Sequence, residues 1–364
     1  MKRKKQPHIR GSLALLLPVL CNRSIKPLAR SDLGSFVVGY IMTWLALLPC
    51  FTTFLVLAGC GGKSATQATA PPPPQQPSLS SSKLGPHVLG DPNNAGAMTI
   101  LGACPRVAKW VLPYAGTDLA ISYYKGHCPG GTVVLRVYVS PSMATYSPAN
   151  DPVASANDFW NHMMAQGLSS AGQPNQIDWL EGPNELDNLP NWYNDPNTAT
   201  WLASFWSTLA DLMHNAGYNP LVGSVLAGQP SPVTIFAPVV GAMKSKQYKW
   251  GWSYHSYTFG ATMDVGAESA YALYYRQVRD QNGLAGIPLV LTEGGYVTPS
   301  STGWQGHLTN AQYLSWLKWF DAQLKQDPEV LGLTIFQVGN TTDWQSFDLT
   351  PIAPDLANYL TTGS

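Results

Sequence analysis

Two glutamates occupy the same kind of position in this 364-residue sequence, each directly after a short apolar run and beside glycine-containing polar residues. Glu185 ends the segment 177–185, which reads IDWLEGPNE, and Glu293 follows the segment 288–292, which reads PLVLT. Two carboxyl groups held on separate rigid elements can supply a proton and attack a carbon atom. They are the minimum that cleavage of a glycosidic bond requires, provided that the fold brings them into one pocket.

The elements that must position these glutamates alternate along the chain from residue 85 onward. Eight short apolar runs are predicted to be strands, at 87–89, 107–112, 133–139, 177–180, 221–226, 250–254, 289–292 and 333–338. Amphipathic spacing predicts helices near 154–168, 198–216, 233–245, 267–282, 309–326 and 353–361. Asn310 is the predicted cap of the helix behind Glu293, and loops are expected to dominate between the first three strands.

Strands that alternate with helices indicate a parallel sheet, and eight of them indicate a single-domain α/β fold, the (β/α)8 TIM barrel. An open doubly wound sheet is the alternative, but it would normally carry a glycine-rich phosphate loop after its first strand, and the sequence has none there. In a barrel, catalytic residues lie at the carboxyl ends of the strands. Glu185 and Glu293 fall at those ends of the fourth and seventh predicted strands.

Asn184-Glu185 at strand four and Thr292-Glu293 at strand seven resemble the clan A retaining glycoside hydrolases, a superfamily of (β/α)8 barrels. The resemblance implies that Glu185 is the acid/base and Glu293 the nucleophile, that Asn184 binds the sugar 2-hydroxyl, and that Glu181 supports the site from behind. It also implies hydrolysis of β-glycosidic bonds in a polysaccharide or oligosaccharide by double displacement, with no cofactor and no metal.

The sequence departs from the usual pattern of that superfamily at two places. Leu186-Asp187 replaces the proline that commonly follows Asn-Glu, and Asp187 is a rival carboxylate. Phe336 lies in strand eight, where a tryptophan is common.

Three further residues are predicted to line the site. Arg136 lies inside an apolar strand, and a buried arginine needs a carboxylate nearby, which is either a catalytic glutamate or a partner in the barrel wall. Alternation along strand six points His255 and Tyr257 in one direction. The resemblance implies that Tyr257 donates to the nucleophile, whereas a hydrogen-bonded core histidine is the other interpretation of His255.

Aromatic residues in polar loops are candidates for stacking on sugar rings. We expect two of Trp192, Tyr193, Trp304 and Trp344 to contact substrate. A non-catalytic carbohydrate-binding lipoprotein on the same barrel is the main alternative function, although it predicts loss of one carboxylate. A polysaccharide lyase or a sugar isomerase would require a metal cluster or a Lys/Tyr base, and neither is evident in the sequence.

Charge is distributed unevenly along the chain. Ten of the 21 Lys and Arg residues precede residue 85 with only Asp32 against them, so the remainder carries 11 basic and 20 acidic residues. A nucleic-acid binder needs a positive face, so nucleic acid is not an expected partner, and we expect a monomer that acts on a carbohydrate. Cys104 and Cys128 are the only cysteines after residue 60. In an exported protein they are predicted to form a disulfide, the alternative being two free buried thiols.

The first 60 residues have the pattern of an export leader, with a basic start at 2–5 and an uncharged stretch at 33–59. The sequence from Leu57 to Cys60 resembles the bacterial lipoprotein cleavage box, which implies a lipid on Cys60. An uncleaved membrane anchor is the alternative. Residues 61–84, rich in Pro, Ser and Gln, are predicted to be a linker to the barrel at 85–364. Both alternatives place the barrel outside the bacterial cytoplasmic membrane. The favoured one, with a lipid on Cys60, anchors it at the outer face of that membrane or at the cell surface.

Overall fold

A computed structural model describes residues 77–139, 146–186, 195–340 and 342–363. Eight parallel strands close into one barrel in the order in which they occur along the chain. The strands are β1 (Leu84–Val88), β2 (Val107–Leu112), β3 (Thr132–Val137), β4 (Trp179–Glu181), β5 (Pro220–Val225), β6 (Gly251–Thr258), β7 (Leu289–Tyr296) and β8 (Val330–Val338). The predicted (β/α)8 barrel is thereby confirmed.

Helices connect consecutive strands and cover the outside of the barrel. They are α1 (Ala95–Gly102), α2 (Thr117–His127), α3 (Pro152–Ala165), α4 (Leu168–Ala171), α5 (Thr198–Asn215), α6 (Ala237–Lys244), α7 (Val265–Glu268), α8 (Tyr275–Asn282), α9 (Asn310–Leu324) and α10 (Ala353–Thr362). Within the described residues, no helix has the length and apolar character that a membrane span requires.

The apolar core has two main parts. The larger part fills the space between the sheet and the helices, with fully buried aromatic residues such as Trp110, Trp252 and Trp316. A small inner cluster of Val107, Val134, Trp179, Leu221 and Val290 fills the barrel interior. These strands are buried on both faces, which explains why their sequences are almost continuously apolar.

Three predictions about local structure were wrong. Helices α1 and α2 occupy the connections that were expected to be loops. The cap of α9 is Thr309, whose hydroxyl accepts from the backbone N–H of Gln312 while the Gln312 side chain accepts from the backbone of Thr309, and Asn310 is the first helical residue. The compact unit also begins before residue 85, because Ser82 and Leu84 are fully buried and the Ser80 hydroxyl donates to the carbonyl of Leu360.

A disulfide joins Cys104, just before β2, to Cys128, just after α2. Both half-cystines are fully buried against the helical layer. The bond closes a loop of 24 residues, which constrains the unfolded chain and stabilises this unit by about 3 kcal/mol in the chain-entropy model.

Candidate active site

The two glutamates singled out by the sequence share one pocket at the carboxyl end of the barrel. Glu293 lies within β7, and Glu185 lies four residues beyond the end of β4. Glu185, Glu293 and His255 of β6 each offer one side-chain atom, and these atoms all lie within 4.8 Å of one another. The side chains are almost completely removed from solvent, with Glu185 9% and Glu293 5% exposed.

The turn that presents Glu185 has an unusual backbone. Gly182, the first residue after β4, lies so close to the ring of Trp206 that a Cβ atom there would come within 2.4 Å of it. Glu185 itself has φ +44°, in the left-handed region that residues other than glycine rarely adopt. Its backbone N–H donates to the carbonyl of Ser224 on β5, 3.0 Å away, which holds the strained residue in place.

Glu293 is surrounded by donors. Nη1 of Arg136 donates to its Oε1 at 2.7 Å, the Tyr257 hydroxyl donates to its Oε2 at 2.9 Å, and Nζ of Lys109 lies 3.5 Å from Oε1. Burial alone would raise the pKa of Glu293, but His255, Lys109 and Arg136 together hold that pKa well below its usual value. The Glu293 carboxylate therefore stays ionised.

Tyr257 stays protonated beside this carboxylate. Burial and the neighbouring charges of Glu293 and Glu185 raise the pKa of Tyr257 far above its usual value. Its hydroxyl therefore remains a hydrogen-bond donor to Glu293 over the whole physiological range of pH.

Glu185 has a different neighbour. Its Oε1 lies 2.6 Å from Nδ1 of His255, whose ring is fully buried. Burial would lower the pKa of His255, but Glu293 and the hydrogen bond to Glu185 raise it. The raised pKa of His255 favours its protonated form, which can donate to Glu185 across this short contact.

A buried ion pair supports the site from the strand side. Nζ of Lys109 on β2 lies 2.6 Å from Oε2 of Glu181 on β4, and both side chains are fully buried. The Ser224 hydroxyl donates to the other oxygen of Glu181 at 2.7 Å. Burial opposes the charged form of Glu181, but Lys109 and Arg136 lower its pKa, so the carboxylate remains a counter-charge for Lys109.

His87 on β1 completes the cluster. It is fully buried, its Nδ1 lies 3.9 Å from Oε1 of Glu293, and the edge of its ring packs against Phe336. Neither ring nitrogen has a hydrogen-bond partner among the described residues. Burial and the nearby charge of Lys109 hold the pKa of His87 well below its usual value, so the ring is neutral.

The cations and carboxylates of the site are paired. Lys109 lies beside Glu181, and Arg136 lies beside Glu293. Nδ1 of His255 lies between the two glutamates, 2.6 Å from Glu185 and 3.6 Å from Glu293. The site thus contains one ionised glutamate with several donors, and a second glutamate whose neighbour is a histidine.

Lys109 and His87 were missed by the analysis of the sequence. Lys109 lies inside the apolar strand VAKWVL, so the reasoning that drew attention to Arg136 would also have identified it. His87 gives a weaker signal, since a single histidine in a strand is ordinary.

The remaining predicted residues lie in different surroundings. Arg136 donates to Oδ1 of Asn184 as well as to Glu293, so Asn184 lies beside the glutamates. Arg136 and Tyr257 donate to Glu293, and His255 contacts Glu185, so all three lie against the carboxyl groups.

The two predicted tryptophans differ from each other. Trp304 is 2% exposed, stacks on Tyr313 and donates to the carbonyl of Phe347, so its assignment to substrate is corrected: it packs within the protein because the helical layer covers its ring. Trp344 is half-buried at the mouth, edge-on to Phe336 and Phe347. The predictions that fall on Cys60, Asp187, Trp192 and Tyr193 lie outside the described residues.

Among the described residues, two groups of side chains have donor atoms close enough to hold a metal ion. In the first, Cys104 and Cys128 are joined in the disulfide, which leaves His127 without thiolate partners. The second is Glu185, His255 and Glu293. Arg136 and Lys109 already neutralise Glu293, so this set presents little negative charge to a cation.

Several solved structures have a similar fold. A trimodular GH5_4 subfamily endoglucanase aligns with a TM-score of 0.55 and 11% identity over 77% of this chain and 60% of its own. A glycoside hydrolase family 5 enzyme from Prevotella bryantii B14, in complex with a xyloglucan tetradecasaccharide, aligns with a TM-score of 0.50 and 11% identity over 77% of this chain and 99% of its own. At these identities the likeness concerns the barrel fold alone.

A GH128 endo-beta-1,3-glucanase from Sorangium cellulosum aligns with a TM-score of 0.43 and 17% identity, over 72% of this chain and 91% of its own. No family model and no curated protein matches the sequence.

Proposed function

We propose that this protein is a retaining glycoside hydrolase that cleaves β-glycosidic bonds of a polysaccharide or oligosaccharide by double displacement. The observation that carries the proposal is the pair Glu185 and Glu293, each of which offers a carboxylate oxygen within 4.8 Å of the other. Retaining enzymes place their carboxyl groups about 5–5.5 Å apart, whereas inverting enzymes need about 6.5–9.5 Å to admit a water molecule. The short separation favours retention.

Glu293 is the nucleophile in this proposal. An ionised carboxylate is needed to attack the anomeric carbon, and the donors Arg136, Tyr257 and Lys109 keep Glu293 ionised. The same donors fix the carboxylate in one orientation, so that one oxygen can form the bond to the sugar while Arg136 or Tyr257 holds the other.

Glu185 is the acid and then the base. In the first step its proton passes to the glycosidic oxygen as the bond to the leaving group breaks and Glu293 forms a glycosyl ester. In the second step Glu185 takes a proton from water, whose oxygen attacks the anomeric carbon and releases Glu293. His255, 2.6 Å from Glu185, holds the Glu185 carboxyl group in one position through both steps.

Asn184 is the proposed contact of the sugar 2-hydroxyl. Its Oδ1 accepts from Arg136, which orients the amide beside Glu293. A donor at this position suits the 2-hydroxyl next to the anomeric carbon, where a hydrogen bond strengthens as the transition state forms.

Hydrolysis and product stereochemistry test the proposal directly. The full chain is incubated with a panel of β-linked polysaccharides, and the first anomer released is identified by NMR before mutarotation. We expect the β-anomer, and we expect Glu185→Gln to lower the rate on natural polymers by about 10²–10⁴-fold. Release of the α-anomer would contradict retention, and near-wild-type rates for Glu185→Gln would contradict its role.

A non-catalytic carbohydrate-binding protein is the second candidate. The presence of two carboxyl groups, and of the buried cations beside them, argues against this candidate. Burying charged groups is costly, and binding alone does not require them. Tight binding of a polysaccharide without any product over long incubation would favour it.

We further propose that the chain is exported and anchored by a lipid on Cys60, with the barrel outside the cytoplasmic membrane. The leader pattern and the run that ends at Cys60 support this proposal. Labelling of expressing cells with an alkyne-tagged fatty acid tests it. Wild type should be labelled and Cys60→Ala should not, whereas equal labelling of both would exclude this site.

A further inference from the structure

Two side chains hold the two oxygens of Glu293 from different parts of the barrel. Arg136 on β3 donates to Oε1, and Tyr257 on β6 donates to Oε2. Since alternate residues of a strand point to the same face, the residues two positions further along continue each inward-facing row toward the mouth. Those residues are both aromatic: Tyr138 follows Arg136, and Phe259 follows Tyr257.

The aromatic residues on the β3 side are exposed. Tyr138 is 43% exposed, although its backbone N–H still donates to the carbonyl of Leu112 at 2.8 Å. Tyr114, which follows β2, is 37% exposed. Leu112 of β2 pairs with Val137 of β3, so Tyr114 and Tyr138 both lie just past the ends of neighbouring strands. Partial burial and the nearby charges of Asp343 and Tyr138 raise the pKa of Tyr114.

A matching pair lies on the β6 side. Phe259 is half-buried and packs against an apolar cluster at the mouth that includes Tyr257, Val297 and Phe336. Its ring lies edge-on to Tyr271, with ring centroids 5.0 Å apart. Tyr271 is 42% exposed. In the circular strand order, β6 lies across the barrel from β2 and β3. The strand β4 lies between them on one side of the barrel, and β7 lies between them on the other. The glutamates therefore lie between the two pairs.

Among the described residues, the loops around this mouth contain neither Lys nor Arg. These residues are 89–94, 113–116, 138–139, 146–151, 182–186, 195–197, 226–232, 259–274, 297–309, 339–340 and 342–349. The cations inside the barrel, Lys109 and Arg136, are already bound to carboxylates. Asp91 and Asp343 add negative charge on the loops after β1 and β8. A carboxylated or sulfated chain would find no Lys or Arg among these described loop residues to pair with.

We propose that Tyr114 with Tyr138, and Phe259 with Tyr271, are two sugar-binding platforms on opposite sides of the glutamates. Together they bind an extended, uncharged polysaccharide chain across the mouth, so that its bonds are cleaved internally. Aromatic rings suit this ligand because the C–H faces of sugars are apolar and the hydroxyl of tyrosine remains free for a hydrogen bond. The position of the cut depends on the proposed function, but the binding itself does not.

Binding is measured by calorimetry in the full-chain Glu293→Gln variant, so that the ligand is not consumed. The probes are cellohexaose, laminarihexaose, xylohexaose and mannohexaose, with hexagalacturonate as the charged comparison. Tyr138→Ala and Tyr271→Ala should each weaken binding of the preferred neutral hexasaccharide by about tenfold, the value of one good stacking contact. Tyr123→Ala is the matched control, because Tyr123 is 40% exposed but lies on α2, stacked on His127.

Binding that is unchanged in both variants, or no binding of any neutral hexasaccharide, would overturn the platforms. Binding of hexagalacturonate as tight as that of the neutral chains would overturn the preference for an uncharged ligand. Neutral chains that bind through both tyrosines but are never hydrolysed by wild type would leave the platforms in place and remove the proposed hydrolase. With an active wild type, products of intermediate length should appear before single sugars, and single sugars appearing first would contradict internal cleavage.

Discussion

Charged side chains cluster at both ends of this barrel, and the two clusters differ in how completely they are satisfied. At the end where strands begin, Asp327 accepts from the Tyr275 hydroxyl at 2.6 Å, from Nε of Arg276 at 2.9 Å and from Nη1 of Arg279 at 2.7 Å. Arg279 also donates to Glu329 at 2.6 Å. The arginine side chains here are partly open to water, at 21% and 17% exposure. This cluster ties α8 to the start of β8.

The cluster at the mouth contains similar residue types but leaves several groups without partners. Lys109 is fully buried, and both ring nitrogens of His87 and Nε2 of His255 lack a hydrogen-bond partner among the described residues. In the other cluster, Asp327 and Glu329 both accept from the arginines of α8, so the named charged groups there all have partners.

Neutralising one carboxylate in each cluster should give the largest difference in activity between the two ends of the barrel. Glu293→Gln removes the proposed nucleophile, and we expect activity on a natural polymer to fall by at least about 10³-fold. Asp327→Asn removes a carboxylate with equally short contacts but should leave the rate at 25 °C within about twofold of wild type. The measurement is the initial rate of release of reducing ends. Equal losses in the two variants would mean that the mouth has no special role.

Replacing one cation in each cluster should show how much more stability depends on the fully buried ion pair than on the partly exposed one. Lys109→Met leaves Glu181 charged and uncompensated in the barrel interior, which should lower the free energy of unfolding by about 3–5 kcal/mol. Arg279→Met should lower it by about 1 kcal/mol, because water replaces the lost contacts. Urea denaturation measures both. The double variant Lys109→Met/Glu181→Gln should recover part of the loss, and failure to do so would show that the two charges do not interact.

Two tyrosines form a closely matched pair for the next comparison. Tyr257 donates to Glu293 at 2.9 Å, and Tyr275 donates to Asp327 at 2.6 Å. Tyr257→Phe removes a donor that keeps the nucleophile ionised and oriented, so kcat should fall by about tenfold or more. Tyr275→Phe should cost about 1 kcal/mol of stability and leave kcat unchanged. A loss of kcat in Tyr275→Phe alone would reverse the assignment of the two ends.

Acid should act on both carboxylates, at different pH. The pKa of each is lowered in the folded protein: burial opposes this in both, but His255, Lys109 and Arg136 outweigh it for Glu293, and Tyr275 and the arginines outweigh it for Asp327. Each therefore stabilises the fold fully above its unfolded pKa, near about 4, and loses that contribution as the pH falls through its folded pKa. The difference in Tm between wild type and Asp327→Asn should shrink as the pH falls below about 4.

The corresponding difference for Glu293→Gln should persist to a lower pH, because the pKa of Glu293 is held well below its usual value. Thermal unfolding from pH 7 to pH 3 measures both differences. Coincident curves for the two variants would contradict the stronger electrostatic support at the mouth.

The barrel was predictable because strands buried on both faces have nearly continuous apolar sequences. Helix α1 was not, since the sequence AGAMTILG contains two glycines and only eight residues, and its cap Asn94 lies in a run that reads as a turn. Helix α2 begins after Gly116 with no side-chain cap, so it gives no start signal either. In both connections, packing against the sheet determines the helix where local propensity does not.

The sequence pointed to the two carboxylates but not to all of the side chains around them, since Lys109 and His87 were missed. A glutamate at the end of a strand is visible in the sequence, whereas the contact between His255 and Glu185 joins residues 70 positions apart. The exposure of Tyr138 and the burial of Trp304 were equally hidden, because both are aromatic residues and only the packing of their neighbours distinguishes them.

The ion pair of Lys109 and Glu181 limits which substitutions evolution can accept at these two positions. Neither residue is expected to touch the substrate, yet loss of either one leaves the other charged in a dry interior. A substitution at only one of these positions is therefore destabilising. We expect the two positions to change together in evolution, for example to two neutral residues. Among relatives that keep the counterparts of Glu185 and Glu293, coordinated replacement at 109 and 181 should be far more frequent than replacement at one of them.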